Sequence, residues 1–243
     1  MGNTDPDICT FISGETVDLI VPTPRLLNSL SWWKHLNDSE TTRYMNRYGV
    51  FPLLPEPEES VQSAADEAAV TTTSRLLLLI RSRASGEFIG STTLSQISQE
   101  SRSAINGLMM LKNKEIGDLL TGLEAKALIC QHGFLHLGLR RIYGWQHIDL
   151  MAWQEMITIL GFFPEGVMKN GFVRGTECAD AIQNSCTSER FLKIYTKRNS
   201  SLWPGRTEAF KLAKAAMAQR RVKKLVAEAQ NREAVWTDEL VGT

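Results

Sequence analysis

The sequence lacks the signals that mark membrane proteins and secreted proteins. The longest apolar run, residues 76–80, has the length of a strand, whereas a membrane helix needs about 20 apolar residues. The N-terminus carries no basic segment followed by an apolar one, so no secretory signal is predicted. These absences predict a cytoplasmic protein without a transmembrane segment.

Cysteine is also scarce. The 4 cysteines stand far apart and form no C-x-x-C pair, which favours reduced thiols over a disulfide framework or a zinc site. His132 and His136 have the spacing of two metal ligands on a helix, but no acidic or cysteine third ligand stands at a recognisable distance along the chain. No metal is therefore predicted.

Net charge is absent as well, because 27 Lys and Arg balance 27 Asp and Glu. The balance is uneven: residues 201–243 hold 8 basic and 5 acidic side chains, so this segment carries +3 and residues 1–200 carry −3. A nucleic-acid-binding domain usually shows a clear basic excess. A polyanionic partner is therefore expected only at the C-terminal segment.

What is present is the hydrophobic patterning of a mixed α/β or α+β fold. Residues 1–15 have the composition of a polar lead-in, and the Asn106-Gly107 pair indicates a bulge inside a strand. Strands are expected at residues 17–21, 75–83, 88–98, 103–111, 141–149, 163–179 and 187–197. Helices are expected at residues 26–35, 57–69, 122–137, 151–160 and 208–231.

Trp203-Pro204 breaks this pattern, so we expect a domain over residues 1–200 and a basic helical extension over residues 201–243. The extension combines a charged face with an apolar stripe. This pattern is typical of a helix that docks on its own domain or on a second copy in a homodimer. Binding to RNA, a ribosome or another polyanion is the alternative.

Three stretches in this order resemble the GNAT acyltransferases, in particular the RimJ/RimL-like branch that acetylates ribosomal proteins and amino-sugars. They are residues 33–45 (WKHLNDSETTRYM), residues 112–125 (KNKEIGDLLTGLEA) and residues 159–167 (ILGFFPEGV). The resemblance implies a mixed, mostly antiparallel seven-stranded sheet with a splayed parallel strand pair and flanking helices. Here the splayed strands are expected to end near Leu111 and Asp149.

The middle stretch occupies the place of the loop that holds the pyrophosphate of coenzyme A. A loop that leads into a helix presents unpaired N–H groups and the positive end of the helix dipole. Here Gly117 and Leu120 replace the usual Gln/Arg and Gly, and Asp118 adds a negative charge. The resemblance assigns acetyl-CoA binding to Met109, Met110, Leu111, Asp118, Leu119, Leu120, Thr121, Gly122, Leu123 and Trp153.

The catalytic acid and base are less evident. Many GNAT enzymes place a Tyr four residues before the Gly-Phe pair, and Ile157 stands there instead. His147 and Asp149 would alternate onto one face at the end of the strand bordering the cleft, and histidine suits proton transfer near neutral pH. A hydrogen-bonded histidine without a catalytic role is the alternative for His147.

Trp33, Tyr44 and Tyr48 belong to an aromatic-rich segment that the family uses as a wall for the amine acceptor, although core packing would account for many aromatic residues. The main hypothesis is acetyl-CoA-dependent N-acetylation of a primary amine, on a peptide or protein N-terminus or an amino-sugar, by direct attack. The alternative is a catalytically silent GNAT-like binding or scaffold protein with a degraded coenzyme A loop.

Overall fold

An eight-stranded, mostly antiparallel sheet organises the chain. The computed structural model describes residues 8–45, 74–111 and 119–229. The strands run in the order β1-β2-β3-β4-β5-β6-β8-β7. Their bounds are Thr10–Ser13 (β1), Val17–Ile20 (β2), Leu76–Ser82 (β3), Phe88–Ser98 (β4), Ser103–Met110 (β5), Arg141–His147 (β6), Phe163–Arg174 (β7) and Glu177–Thr187 (β8).

Helices cover both faces of this sheet. They are Pro24–Ser29 (α1), Trp32–Asn37 (α2), Leu119–Leu135 (α3), Met151–Ile157 (α4), Ser188–Lys197 (α5) and Arg206–Gln219 (α6), and residues 221–229 are also helical. The larger core cluster lies around α3, and a second one joins Trp32 to Met109 and Leu79 on the other face. None of the helices in the described ranges is long and apolar enough to cross a bilayer.

The expected splayed pair is β5 and β6, the parallel neighbours in the sheet. They pair only at Ser103↔Arg141, Ala104↔Ile142 and Ile105↔Tyr143. Beyond these three pairs β5 continues to Met110 and β6 to His147 without pairing to each other. The sheet therefore opens toward the carboxyl ends of the two strands. This confirms the predicted α/β fold with its splayed pair.

The sheet has eight strands where seven were expected. The additional strand is β1, which falls in the supposed polar lead-in and pairs with β2 through Thr10↔Ile20 and Ser13↔Asp18. Ile12 packs partly buried against the main core. The four-residue strand places its two apolar residues, Phe11 and Ile12, next to each other, so it shows no alternation from which a strand could be predicted.

The prediction of a strand over residues 187–197 was wrong. β7 and β8 form a hairpin that ends at Thr187, and α5 follows at once. The Thr187 side chain accepts a hydrogen bond from the Arg190 N–H and so caps the helix, while Phe191 packs into the core. Residues 188–197 bury one helical stripe, a period of 3.6 rather than 2.

Two further helices differ from expectation. The helix expected over residues 26–35 is divided into α1 and α2 by Ser31, whose φ is 48°. The helix expected over residues 208–231 is interrupted at Arg220, whose φ is 51°, within the described part. A left-handed residue ends a run of α-helical hydrogen bonds in both places. The helix expected over residues 57–69 lies outside the described residues.

The bulge expected at Asn106-Gly107 is not there. β4 and β5 keep a regular register from Gly90↔Met110 to Ser95↔Ile105, and the register shifts only between Ser95 and Ser98. A Cβ at Gly107 would lie 2.6 Å from the Thr93 hydroxyl, so glycine provides room for a cross-strand neighbour rather than a bulge.

The described part of the C-terminal extension docks on the first 200 residues. Val222 and Val226 are buried against Ile182 of β8, and the Val222 N–H donates to a Glu155 carboxylate oxygen at 2.7 Å. This is the docked arrangement that the apolar stripe predicted. The division into two domains at residue 200 stays a prediction.

Glu124 of α3 ties the β1–β2 turn to the core. It has no exposed surface, and its carboxylate accepts hydrogen bonds from the Glu15 and Thr16 backbone N–H groups and from the Thr16 hydroxyl. A Cβ at Gly14 would collide with the same carboxylate. Glu124 therefore acts as a clamp that holds the turn between the two short strands against α3.

We expect Glu124→Ala to lower the free energy of unfolding by about 2–4 kcal/mol, because buried donors lose their acceptor and a cavity remains. Urea unfolding followed by tryptophan fluorescence measures this. Glu189→Ala removes an exposed carboxylate and serves as the control with little effect. An unchanged urea midpoint in Glu124→Ala would contradict the clamp.

Candidate active site

A cavity of about 700 Å³ passes through the gap between β5 and β6 and reaches both faces of the sheet. Six consecutive residues of β5, residues 105–110, line the cavity. Their side chains point alternately to the two faces of the sheet. On the α3 face the lining includes Asn106, Leu108 and Met110, and on the opposite face Ile105, Gly107 and Met109. Such a passage accommodates an extended molecule that reaches across the sheet.

On one face of the sheet, α3 supplies the wall of the cavity. Leu119, Gly122 and Lys126 line it at the spacing of one helical stripe. A Cβ at Gly122 would lie 3.3 Å from the Leu108 and Met110 side chains, so glycine keeps this part of the passage open. The described part of this helix begins at Leu119, at the open end of the gap.

Only some of the residues predicted to bind the acyl donor line the cavity. Met109, Met110, Leu119, Gly122 and Trp153 line the cavity, and their role in donor binding stays a prediction. Leu111, Leu120, Thr121 and Leu123 are not among the lining residues, because they pack into the two core clusters or lie buried within α3. Asp118 lies outside the described residues.

The hydrogen bonds of β5 show which of its backbone N–H groups face the gap. The Leu111 N–H bonds to the Ile89 carbonyl of the neighbouring segment at 2.9 Å and is therefore occupied. Successive N–H groups along a strand point to opposite edges. Met110 and Leu108 therefore present their N–H groups toward the gap.

Aromatic residues form the wall on the other face. Trp32 and Tyr44 line the cavity together with His147 and Phe172. The His147 ring lies 5.2 Å from the Tyr44 ring and 4.6 Å from the Phe172 ring between centroids.

The structure places one of the three residues predicted for the acceptor wall at the cavity. Tyr44 lines the cavity, whereas Trp33 does not and lies beside the Lys34 ammonium instead. Trp32 takes the place that was assigned to Trp33. Tyr48 lies outside the described residues.

His147 and Asp149 do not share one strand face, as was expected, but they are in contact. β6 ends at His147 and the chain turns into a 3-10 segment, so Asp149 no longer lies on the strand face. The buried His147 accepts a hydrogen bond at Nδ1 from the Asp149 backbone N–H at 3.1 Å. The Asp149 carboxylate is 61% exposed and stands 3.6 Å from the same nitrogen.

This contact fixes the protonation pattern of the neutral ring. An Nδ1 that accepts a hydrogen bond carries no proton, so Nε2 carries it and acts as a donor. A protonated ring would instead direct its Nδ1–H toward the Asp149 carboxylate. Asp149 thus offers His147 a partner for each of the two states.

Sequence reasoning missed Lys126, which lines the cavity although it is 2% exposed. Its ammonium donates to the Asn106 side-chain oxygen and lies 3.9 Å from the centre of the Phe162 ring. Burial lowers the pKa of Lys126 below its ordinary value. The signal in the sequence was its position four residues after Gly122, which places both on one helix face.

Gln146 was also missed and is held by a buried amide network behind the cavity wall. Its side-chain oxygen accepts from Gln154 at 2.7 Å and from Asn184 at 2.5 Å. Asn184 also donates to the Gln154 side-chain oxygen at 3.0 Å. Neutral amides at residues 146, 154 and 184 give no charge pattern that sequence reasoning could use.

The metal prediction concerned His132 and His136, whose rings stack 4.9 Å apart on the outer part of α3. Within the described ranges no group of three or more His, Cys, Asp or Glu side chains converges as a metal site would require. The histidine pair is also remote from the cavity lining.

No protein-family profile and no curated protein sequence matches the chain. Solved structures do match. Mycobacterium smegmatis RimJ, in complex with CoA-disulfide, is 18% identical with a TM-score of 0.60, over 77% of this chain and 91% of RimJ. A GCN5-related N-acetyltransferase from Brucella melitensis is 18% identical with a TM-score of 0.60, over 84% of this chain and 88% of that one.

RimL, a ribosomal L7/L12 alpha-N-protein acetyltransferase, is 14% identical with a TM-score of 0.61, over 77% of this chain and 98% of RimL. The chain therefore has the GNAT fold, which confirms the resemblance found in its sequence. RimJ and RimL are among the structures that share this fold with it, in agreement with the branch that the three stretches indicated.

We expect long-range ¹H–¹⁵N correlation spectra near neutral pH to show the Nε2–H tautomer for His147, because Nδ1 accepts from the Asp149 backbone. The control Asp149→Asn keeps that backbone N–H and should keep the tautomer. Detection of Nδ1–H in the neutral ring would contradict the geometry.

Proposed function

We propose that the protein is an acyl-CoA-dependent N-acyltransferase that moves an acetyl group from acetyl-CoA to a primary amine. The observation that carries this proposal is the gap between β5 and β6, whose cavity joins the two faces of the sheet. A thioester on one side and an amine on the other would meet inside it. Two reactants held side by side react without a covalent enzyme intermediate.

The donor fits the α3 side of the passage. Unpaired strand edges supply N–H and C=O groups for an amide-containing pantetheine arm, as a peptide pairs with a sheet. Gly122 leaves room beside Leu108 and Met110, and the first turn of α3 suits a pyrophosphate. The Met110 N–H, which faces the gap, is the candidate donor to the thioester oxygen as the tetrahedral intermediate forms.

The acceptor fits the aromatic side. Tyr44 and Trp32 form an apolar wall, and His147 is the polar group beside them. The resemblance to RimL, a ribosomal L7/L12 alpha-N-protein acetyltransferase, favours a peptide or protein N-terminus over an amino-sugar as the amine. A cytoplasmic location accords with such a substrate.

His147 and Asp149 are the proposed catalytic pair. The hydrogen bond to Nδ1 implies the tautomer in which Nε2–H is a donor. In the other tautomer Nδ1 carries the proton and donates it in a hydrogen bond to the Asp149 carboxylate, which leaves Nε2 free to accept the proton of the attacking amine. The carboxylate then stabilises the imidazolium that forms. The proton taken from the amine is later returned to the leaving thiolate or to water.

Isothermal titration with acetyl-CoA tests the donor site. We expect binding to the wild type and a loss of at least about 10-fold in affinity in Gly122→Leu, because a leucine side chain fills the passage. The control Gly166→Leu makes the same substitution on β7, where a Cβ meets nothing within 4 Å. No heat of binding with the wild type would reject the proposal.

Thiol release in the presence of a panel of peptides and amino-sugars tests the catalytic pair. We expect His147→Gln to lower kcat by about 10²-fold or more at unchanged acetyl-CoA affinity, as expected for general acid–base catalysis. Asp149→Asn should lower kcat less, since the backbone N–H remains. Full activity of His147→Gln would reject the assignment.

A second candidate is a catalytically silent GNAT-like protein that binds a ligand or a partner without turnover. Ile157, which replaces the usual Tyr, lies 1% exposed in the main core and offers no proton at the cavity. This candidate predicts acetyl-CoA binding without thiol release for every amine of the panel. The activity measurements above separate the two candidates.

The C-terminal segment is the candidate surface for binding a polyanion. Its described apolar stripe packs on β8, which leaves Arg221, Lys223 and Lys224 exposed. A contact with RNA, a ribosome or another polyanion would use these cations, and homodimer formation remains a separate proposal.

A further inference from the structure

Lys126 is a buried amine that the proposed transfer reaction does not use. It lies on α3 with its ammonium at the cavity wall, and 2% of the residue is exposed. Long charged side chains are almost never fully buried unless they are paired. Burial disfavours the charged form of Lys126, so an anion bound beside it would stabilise the ammonium.

The groups around the Lys126 ammonium are all neutral. Asn106 of β5 supplies an amide oxygen and Phe162 supplies the face of a ring. Cys130 of α3 and Cys186 of β8 are the other titratable groups that act on it. Burial raises the pKa of the Cys130 thiol to about 11 and that of Cys186 to about 12, so neither is a thiolate at neutral pH.

No carboxylate in the described part of the chain forms an ion pair with Lys126. Its ammonium contacts the Asn106 side-chain oxygen and the Phe162 ring, and Lys126 also lines the cavity, where a ligand would reach it. A buried charge without a counter-ion is costly, and a bound anion removes that cost.

Lys126 also lies at a defined depth in the passage. α3 runs back along β5, because Gly122 faces Leu108 and Met110, while Lys126 bonds to Asn106. Asn106 is the first residue beyond the last β5–β6 pair, Ile105↔Tyr143. Lys126 therefore marks the closed end of the gap, and the first turn of α3 marks the open end.

We propose that the closed end of the cavity binds a short dicarboxylic acyl group, such as malonyl or succinyl, whose free carboxylate pairs with Lys126. This rests on the proposed function, in which the donor enters from the first turn of α3 and its acyl end points toward the closed end. Acetyl lacks the carboxylate and leaves the ammonium unpaired. Lys126 is then the residue that determines donor specificity.

The transfer reaction itself is unchanged by this choice. A C–N bond forms between the amine and the thioester carbon, and the C–S bond breaks. The amine loses one proton and the thiolate gains one, while the distal carboxylate keeps its charge throughout. The product carries a negative charge where acetylation would leave none.

Isothermal titration of the full chain with CoA, acetyl-CoA, malonyl-CoA and succinyl-CoA tests the proposal without knowledge of the acceptor amine. We expect at least one of the two dicarboxylic donors to bind about 10-fold or more tightly than acetyl-CoA, as a charge-assisted contact inside a protein gives. Lys126→Met should abolish this preference, so that the dicarboxylic donors bind no more tightly than acetyl-CoA. Lys214→Met, on the exposed face of α6, is the control and should keep the preference.

Asn106→Asp provides a second variant of nearly the same shape. It gives Lys126 a carboxylate partner inside the protein, so the preference for a dicarboxylic donor should fall while acetyl-CoA still binds. This variant keeps the test decisive if Lys126→Met fails to fold, which circular dichroism would reveal.

The outcomes are distinguishable. Absence of binding by CoA and by every donor would overturn the proposed function itself. Equal affinity for acetyl-CoA and both dicarboxylic donors would leave the proposed function intact and overturn the role of Lys126. A mass gain on Lys126 after incubation with acetyl-CoA would identify the amine as an acyl acceptor and would also overturn it.

Discussion

The parting of β5 and β6 after three residue pairs is the constraint on which the rest of the structure depends. A strand edge inside a protein needs hydrogen-bond partners, and these two edges have none from each other beyond Ile105↔Tyr143. The flanking pairs hold the gap open, because β4 and β8 keep a long antiparallel register on either side. Helix α3 then covers one face of the gap, so the opening becomes a cavity rather than a surface groove.

Helix α3 carries two buried ionisable side chains, Glu124 and Lys126, which have different kinds of hydrogen-bond partners. Glu124 and Lys126 are two residues apart, which turns them about 200° from each other around the helix axis. Glu124 faces the β1–β2 turn and accepts three hydrogen bonds from it, so its burial stabilises the fold. Lys126 lines the cavity and has an amide oxygen but no carboxylate among its described partners, so the described part of the chain supplies no opposite charge for it.

Much of the fold followed from local patterning. The meander of β3, β4 and β5, helix α3 and strand β6 were predicted within a few residues, because each shows its own period and a clear end. Residues 187–197 were misassigned because one buried aromatic, Phe191, and several polar residues satisfy the strand period nearly as well as the helical one. The hydrogen bond from the Arg190 N–H to the Thr187 side chain favours the helix. This bond depends on the direction in which the chain leaves β8.

The resemblance in the sequence implied the GNAT-like sheet with its splayed pair. Local patterning placed most of the strands and helices and the face of α3 that carries Gly122, since a period depends on residues close together in the chain. Only the tertiary structure decided which polar groups reach the cavity. Trp32 rather than Trp33 lies there, His147 meets the Asp149 backbone N–H, and Lys126 is buried against Asn106 of another element. These contacts join residues from separate elements, and burial and hydrogen-bond partners are set by the neighbours that packing supplies rather than by position along the chain.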